Sequence, residues 1–186
     1  MLVLHTAVSV ATVASLTHLV VWMWRYRQGD TRKHRAVRKF ALISLALFAT
    51  NFIVGNLMYP TYRTRVRAEY LDAPDHVVED TTRRAEAHAR ATDQPAPSDA
   101  RAERAAKHRA EDAQKAARWF DVKEHWVAMG LALVAAVTLI LFAWRPKDDS
   151  GSEVIAPYVL LLACAAAATV WIAAIIGVMT AAWRAI

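Results

Sequence analysis

Apolar residues dominate four stretches of this chain, Leu2 to Trp24, Phe40 to Tyr59, Trp126 to Trp144 and Val154 to Trp183. A hydrocarbon layer is crossed by roughly 20 helical residues, and each stretch reaches or approaches that length. Lipid cannot hydrogen-bond a backbone, so each stretch must close its own ladder as a helix. Between the second and third stretches, residues 60–123 are polar, rich in alanine and charge. The pattern predicts an all-α, integral membrane four-helix bundle with a polar helical hairpin insertion between the second and third transmembrane helices. With most apolar residues inside the spans, residues 1–186 form a single membrane domain.

Within the insertion, Pro74, Pro95 and Pro97 act as punctuation. They predict two polar helices, Asp75 to Thr92 and Ser98 to Trp119, joined by the turn Gln94-Pro95-Ala96-Pro97-Ser98. Glu103 with Lys107 and Glu111 with Lys115 have the favourable i,i+4 order. Helices polar all round have little to bury, so they project as a hairpin or stay partly disordered. Tyr59-Pro60 is a natural end for the second span, because proline disfavours helical geometry in the residue before it. Asp121 followed by Glu124 reads as a capping box opening the third span.

Charge sets the expected orientation. Arg25, Arg27, Arg32, Lys33, Arg35, Arg38 and Lys39 crowd the first connection against Asp30 alone, so this short loop carries the equivalent of the whole net charge of +6. A short basic loop beside two spans belongs in the cytoplasm. The expectation is therefore a multi-pass protein of the cell inner membrane, with loop 25–39 cytoplasmic, both termini outside and residues 60–123 exoplasmic. Long loops cross regardless of their charge, so the arginines of the insertion do not oppose this. The basic loop also suits anionic headgroups of the lipid bilayer. Nucleic acid is excluded as a partner, since no reading element accompanies the charge. The first stretch lacks a basic leader and a cleavage site, which predicts a retained helix. The lone Cys164 lies within an alanine-rich run and reads as a small filler. Trp22, Trp24, Trp144 and Tyr158 are expected at the inner boundary, Tyr59, Trp126 and Trp183 at the outer one, and Trp171 between helices.

Small residues should let the helices meet. Ala163, Ala167, Ala173, Gly177 and Ala181 serve the fourth span, and Gly130, Ala132, Ala135 and Ala136 the third. His5, Ser9 and Thr12 share one face of the first span, while Ser44, Asn51, Gly55 and Tyr59 line one side of the second. These stripes predict a modestly polar seam inside the bundle. His18 is expected to bond a neighbouring helix, and His34, His76, His88 and His108 to be solvated.

One constellation bears candidate chemistry. In the expected topology His5 and His125 fall at the same outer depth, beside Tyr62, Arg63, Arg65 and Arg67. Two imidazoles on neighbouring helices can ligate a b-type haem iron axially, or hold a metal with further ligands. Arg63 and Arg67, with Tyr62, could meet haem propionates, and Asp121, four residues before His125, could orient its ring. The architecture is similar to that of four-helix membrane cytochromes b in helix count and histidine depth. Each residue also has a plain structural explanation: a cap for Asp121, an interfacial anchor for His125, solvent for His5 and the arginines. The expected functions are haem or metal binding in membrane electron transfer, or a non-catalytic accessory or scaffold subunit of a larger membrane complex docking through the hairpin. A solute carrier using the Ser9, Thr12 and Asn51 seam finds no inverted repeat or broken helix to support it. No enzyme is expected: no nucleophile stands beside a base, and no acidic residue lies within any span.

Overall fold

The computed structural model describes residues 1–93, 99–145 and 152–185, the side chains at 31, 99, 152, 153 and 181–185 excepted. The expected turn at residues 94–98, most of the connection from Arg145 to Glu153, and the side chains of Ala181 and Trp183 lie outside the described residues. All regular structure described is helical: α1 (Leu2–Arg27), a single 3₁₀ turn (Thr31–Lys33), α2 (His34–Thr61), a π-helix (Tyr62–Leu71), α3 (Pro74–Thr92), α4 (Asp99–Ala143) and α5 (Ser152–Ala185). Four of these helices are long and apolar enough to cross a membrane, as the hydrophobic pattern requires.

Helix α1 stops where its sequence turns from aromatic to polar. Gly29 takes φ = 101°, a region glycine enters freely. From there the Gly29 N–H bonds the Tyr26 carbonyl at 3.1 Å and the Asp30 N–H bonds the Arg25 carbonyl at 3.3 Å. This paired 5→2 and 6→1 closure satisfies carbonyls that a helix end otherwise leaves open.

Two boundaries differ from the sequence expectation. Pro60 does not end the second helix but sits inside α2, which runs on to Thr61 and then continues as the π-helix. Proline removes one backbone donor and crowds the preceding turn. Beyond it the chain winds more widely, down to the Asp72 N–H reaching the Arg67 carbonyl at 2.8 Å. The expected second polar helix and the third span are likewise one helix, α4, of 45 residues. No glycine or proline occurs between Asp99 and Met129 to interrupt it. Asp121 therefore lies in mid-helix and caps nothing.

The chain divides into two compact units. The first comprises 1–57 and 123–177, the second 58–122 and the residues from 178 onward. In the first, α1, α2, α4 and α5 share a core of Leu16, Leu19 and Met23, Val37, Ala41 and Phe48, Val134, Val137 and Leu141, and Val159, Ala163 and Ala166. Helix α1 runs antiparallel to α2 in a constant register. His5 meets Gly55, Ser9 Oγ donates to Asn51 Oδ1 at 2.9 Å, Ser15 and Ser44 share a hydrogen bond of 2.8 Å, and His18 stacks on Phe40 at 5.6 Å. The expected polar seam is thus built from direct helix-to-helix contacts, each worth about 0.6 kcal/mol where apolar surface surrounds it.

Several side chains lie elsewhere than the sequence suggested. Trp144 is buried within the protein, with its ring edge-on to Tyr26 at 5.4 Å and to His34 at 5.7 Å. His34 is accordingly packed among aromatics rather than solvated. Trp171 is half exposed, its indole N–H donating to Thr17 Oγ1 at 3.2 Å. His18 Nδ1 lies 2.9 Å from the Ala14 carbonyl of its own helix, not a neighbour's, and so carries the proton. The buried line of α4 is Gly130, Val134, Val137 and Leu141, and Ala132 is exposed.

The second unit has a small core of its own: Leu71, Val77, Ala110, Ala113 and Ala117, with Tyr62, Val66, Tyr70 and Val78 packed against it. Its helices are therefore not polar all round; alanine supplies the contact side. The opposite face of α3 carries Glu79 to Arg83 and Glu86 to Arg90 pairs. Lys115 turns to Asp112 at 2.8 Å rather than to Glu111.

Gly130 marks a close helix approach. A methyl group there would collide with Thr169 Oγ1 and stand 2.9 Å from Cζ of Phe48, whose ring is 1% exposed and cannot yield. Gly130→Val is expected to destabilise the detergent-solubilised protein by about 1–3 kcal/mol. Ala132→Val, on the exposed side, should leave the thermal midpoint followed by circular dichroism unchanged.

Candidate functional site

The residues singled out from sequence separate into two groups, one in each unit. In the second unit, Arg67 on the π-helix makes a two-pronged contact with Asp121 on α4. Nη1 donates to Oδ1 and Nη2 donates to Oδ2 at 3.0 Å, while Nε donates to Asp72 Oδ2 at 3.2 Å. The planar guanidinium matches the carboxylate, so all three nitrogens are used by this chain's own acids. Arg67 is engaged by Asp72 and Asp121, and both oxygens of Asp121 accept from Arg67. Tyr62 stacks on Phe120 at 3.8 Å, again tying the π-helix to α4. Arg63 and Arg65 are exposed. Together these contacts clamp the π-helix to α4.

Tyr70 is a second tie. Its hydroxyl donates to Asp80 Oδ2 at 3.0 Å, and Arg84 pairs with the same oxygen at 3.0 Å. Tyr70 lies beyond the apolar stretch that ends at Tyr59. Burial and then the Asp80 bond push its phenol above the ordinary tyrosine value.

In the first unit, the buried face of every helix ends in a distinctive residue at one end of the core. On α1 the line Met23, Leu19, Leu16, Thr12 and Ser9 leads to His5. On α2, Val37, Ala41, Ser44 and Phe48 lead to Gly55. On α4, Leu141, Val137, Val134 and Gly130 lead to Lys123, and on α5, Val159, Ala163, Ala166, Val170 and Ala173 lead to Gly177. These steps of three and four keep to one side of a helix. Contacts confirm the convergence. A Cβ on Gly55 would stand 3.5 Å from His5 Cε1, and one on Gly177 would stand 3.3 Å from Lys123 Nζ. Lys123 is also close enough to act electrostatically on the His5 ring. Nδ1 of His5 is buried without a hydrogen-bond partner.

His125 follows Lys123 by two residues, about 200° around the helix, and is exposed. Helix α4 thus turns Lys123, not His125, toward His5. Axial ligation of a haem iron needs two imidazoles facing each other across a gap, and the residues present do not fit that arrangement. Among the described residues, no group of three or more His, Cys, Asp or Glu side chains is placed to hold a metal ion. Lys123 was missed from sequence, whereas Gly55 and Gly177 were expected there as helix-contact positions and take that place. The signal that could have found Lys123 was its position seven and eleven residues before Gly130 and Val134, on the inward stripe of α4.

Comparison with protein-family models, with curated proteins and with solved structures finds no match.

Two outcomes check the geometry of the second unit. Arg67→Met should lower stability by on the order of 1 kcal/mol, since the pair is partly exposed and screened. Arg67→Lys should recover only part of that loss, because an ammonium cannot reproduce the fork. For Tyr70, the raised phenol keeps its proton more firmly when folded. Its contribution is intact below about pH 10 and is lost as pH climbs through the raised value. Thermal midpoints of the wild type and Tyr70→Phe, compared across alkaline pH, should converge as that contribution disappears.

Proposed function

We propose that this chain is a non-catalytic accessory or scaffold subunit of a larger membrane complex, docking through the polar insertion. The observation that carries this reading is that the insertion, instead of trailing as a solvated loop, packs around its own buried core of Leu71, Val77, Ala110, Ala113 and Ala117. An ordered helical surface costs conformational entropy that a mere spacer need not lose. The Arg67, Asp72 and Asp121 contacts further restrain that surface. On this reading the basic loop 25–39 lies in the cytoplasm, the four apolar helices cross the bilayer, and the insertion meets its partner on the opposite side. The α1–α2 seam supports the same reading: its hydroxyls and amide are spent on each other, as helix-joining contacts would be.

The test uses the full chain, tagged and extracted from its native membrane in mild detergent. A second polypeptide in fixed ratio should accompany it, and charge reversal at the exposed Arg83 and Arg90 of α3 should release that polypeptide. Migration of the chain alone at every detergent condition would overturn the reading. A coloured preparation whose absorption changes on reduction would replace it with the redox alternative.

A further inference from the structure

The basic connection between α1 and α2 folds back on α1 instead of looping free. Gly29 turns the chain, the Asp30 N–H bonds the Arg25 carbonyl, and the Lys33 N–H bonds the Asp30 carbonyl at 3.0 Å. Lys33 thereby returns to the Trp22 indole, its Nζ 5.0 Å from the ring centre. Arg25, three residues beyond Trp22 on α1, brings its guanidinium carbon to 5.8 Å from the same centre. Trp22 is steadied from α2, where Phe40 stacks against it at 6.4 Å and against His18 at 5.6 Å. One fixed ring thus collects two cations from separate elements.

The charges around this ring do not balance. Asp30 is the one acid between Arg25 and Lys39. Its carboxylate lies 3.6 Å from Arg32 and 4.0 Å from Lys33, so a single negative charge already serves two cations before Arg25 is counted. An indole face attracts a cation only weakly at an exposed site, which leaves the repulsion between Arg25 and Lys33 largely uncompensated. Trp22 adds a directional demand, because its Nε1 is buried without a hydrogen-bond partner. A buried donor left unpaired costs free energy. An oxygen carrying negative charge answers both demands: it neutralises the cations and accepts from the indole N–H. Such charge-assisted bonds are the strong ones.

We propose that Trp22, Arg25 and Lys33 form a binding site for one phosphate oxyanion, supplied by the headgroup of an anionic phospholipid. Helix α1 is apolar from Leu2 to Trp24 and basic from Arg25 onward. The ring therefore lies where a bilayer exchanges acyl chains for phosphates, the level at which basic side chains meet anionic lipid. Seven cations in one connection attract such lipids diffusely; the built platform on Trp22 holds one of them in place. A free phosphate offers the same oxygens, and the experiment separates the two sources. The site belongs to the apolar unit and stands or falls independently of partner docking by the insertion.

The purified full chain in non-ionic detergent is titrated with short-chain phosphatidylglycerol, and bound lipid is counted by native mass spectrometry. One lipid should be retained at the lowest concentrations. Arg25→Gln and Lys33→Gln should each weaken that retention by about tenfold, the loss of one charge-assisted bond. Trp22→Phe, which keeps a ring for both cations and removes only the N–H, should weaken it to a similar extent. Arg27→Gln removes the same charge from an exposed position of the same connection and should leave retention unchanged. Helical content and thermal midpoint, measured on every variant, show that each remains folded. Indifference to inorganic phosphate assigns the site to the headgroup, whereas displacement of the lipid by phosphate would overturn that source. Undiminished retention in any of the three site variants would overturn the site itself. So would an equal loss in Arg27→Gln, the mark of diffuse attraction.

Discussion

Ser9 against Asn51 and Ser15 against Ser44 govern how far α1 can slide along α2, and most of the apolar unit follows from that register. Surrounded by lipid, helices gain little by covering leucine with leucine, so close backbone approach and a few polar contacts decide which faces meet. A shift of one residue would turn each hydroxyl away from its partner and leave it among apolar groups. The same register sets His18 over Phe40, brings His34 to Tyr26 and Trp144, and carries His5 to Gly55. Helix α4 then docks by its own narrow point, Gly130, where Thr169 and the buried Phe48 ring leave no space for a methyl group.

The second unit is stabilised differently. Its core is small and mostly alanine, so directional contacts matter more than buried area. Arg67 bonds Asp72 and Asp121, and Tyr70 bonds an Asp80 that Arg84 also holds. These bonds tie the π-helix to α3 and α4. Arg67 and Asp121, which looked like candidates for an external ligand, bond to each other.

Function, on our reading, divides along the same line. The polar unit offers an ordered surface built on its own small core, which suits a partner protein. The apolar unit gathers His5, Gly55, Lys123 and Gly177 at one end of its core.

The four apolar helices, the polar insertion and the start of its first helix near Asp75 could be read directly from the sequence. Length and hydrophobicity act locally, and a backbone in hydrocarbon has no alternative to helix. The inward stripes of α1 and α2 were readable for the same reason, since helical periodicity alone assigns Ser9 and Asn51 to a face. The behaviour of Pro60, the unbroken course of α4 past Asp121, and the burial of Trp144 and His34 were not, because each depends on what a neighbouring helix supplies. His5 and His125 show the difference most plainly. Sequence puts them at the ends of apolar stretches, but only packing chooses which side of α4 faces α1, and the inward stripe through Gly130 and Val134 chooses Lys123. Local chemistry made the helices; the close approaches between them decided which side chains meet.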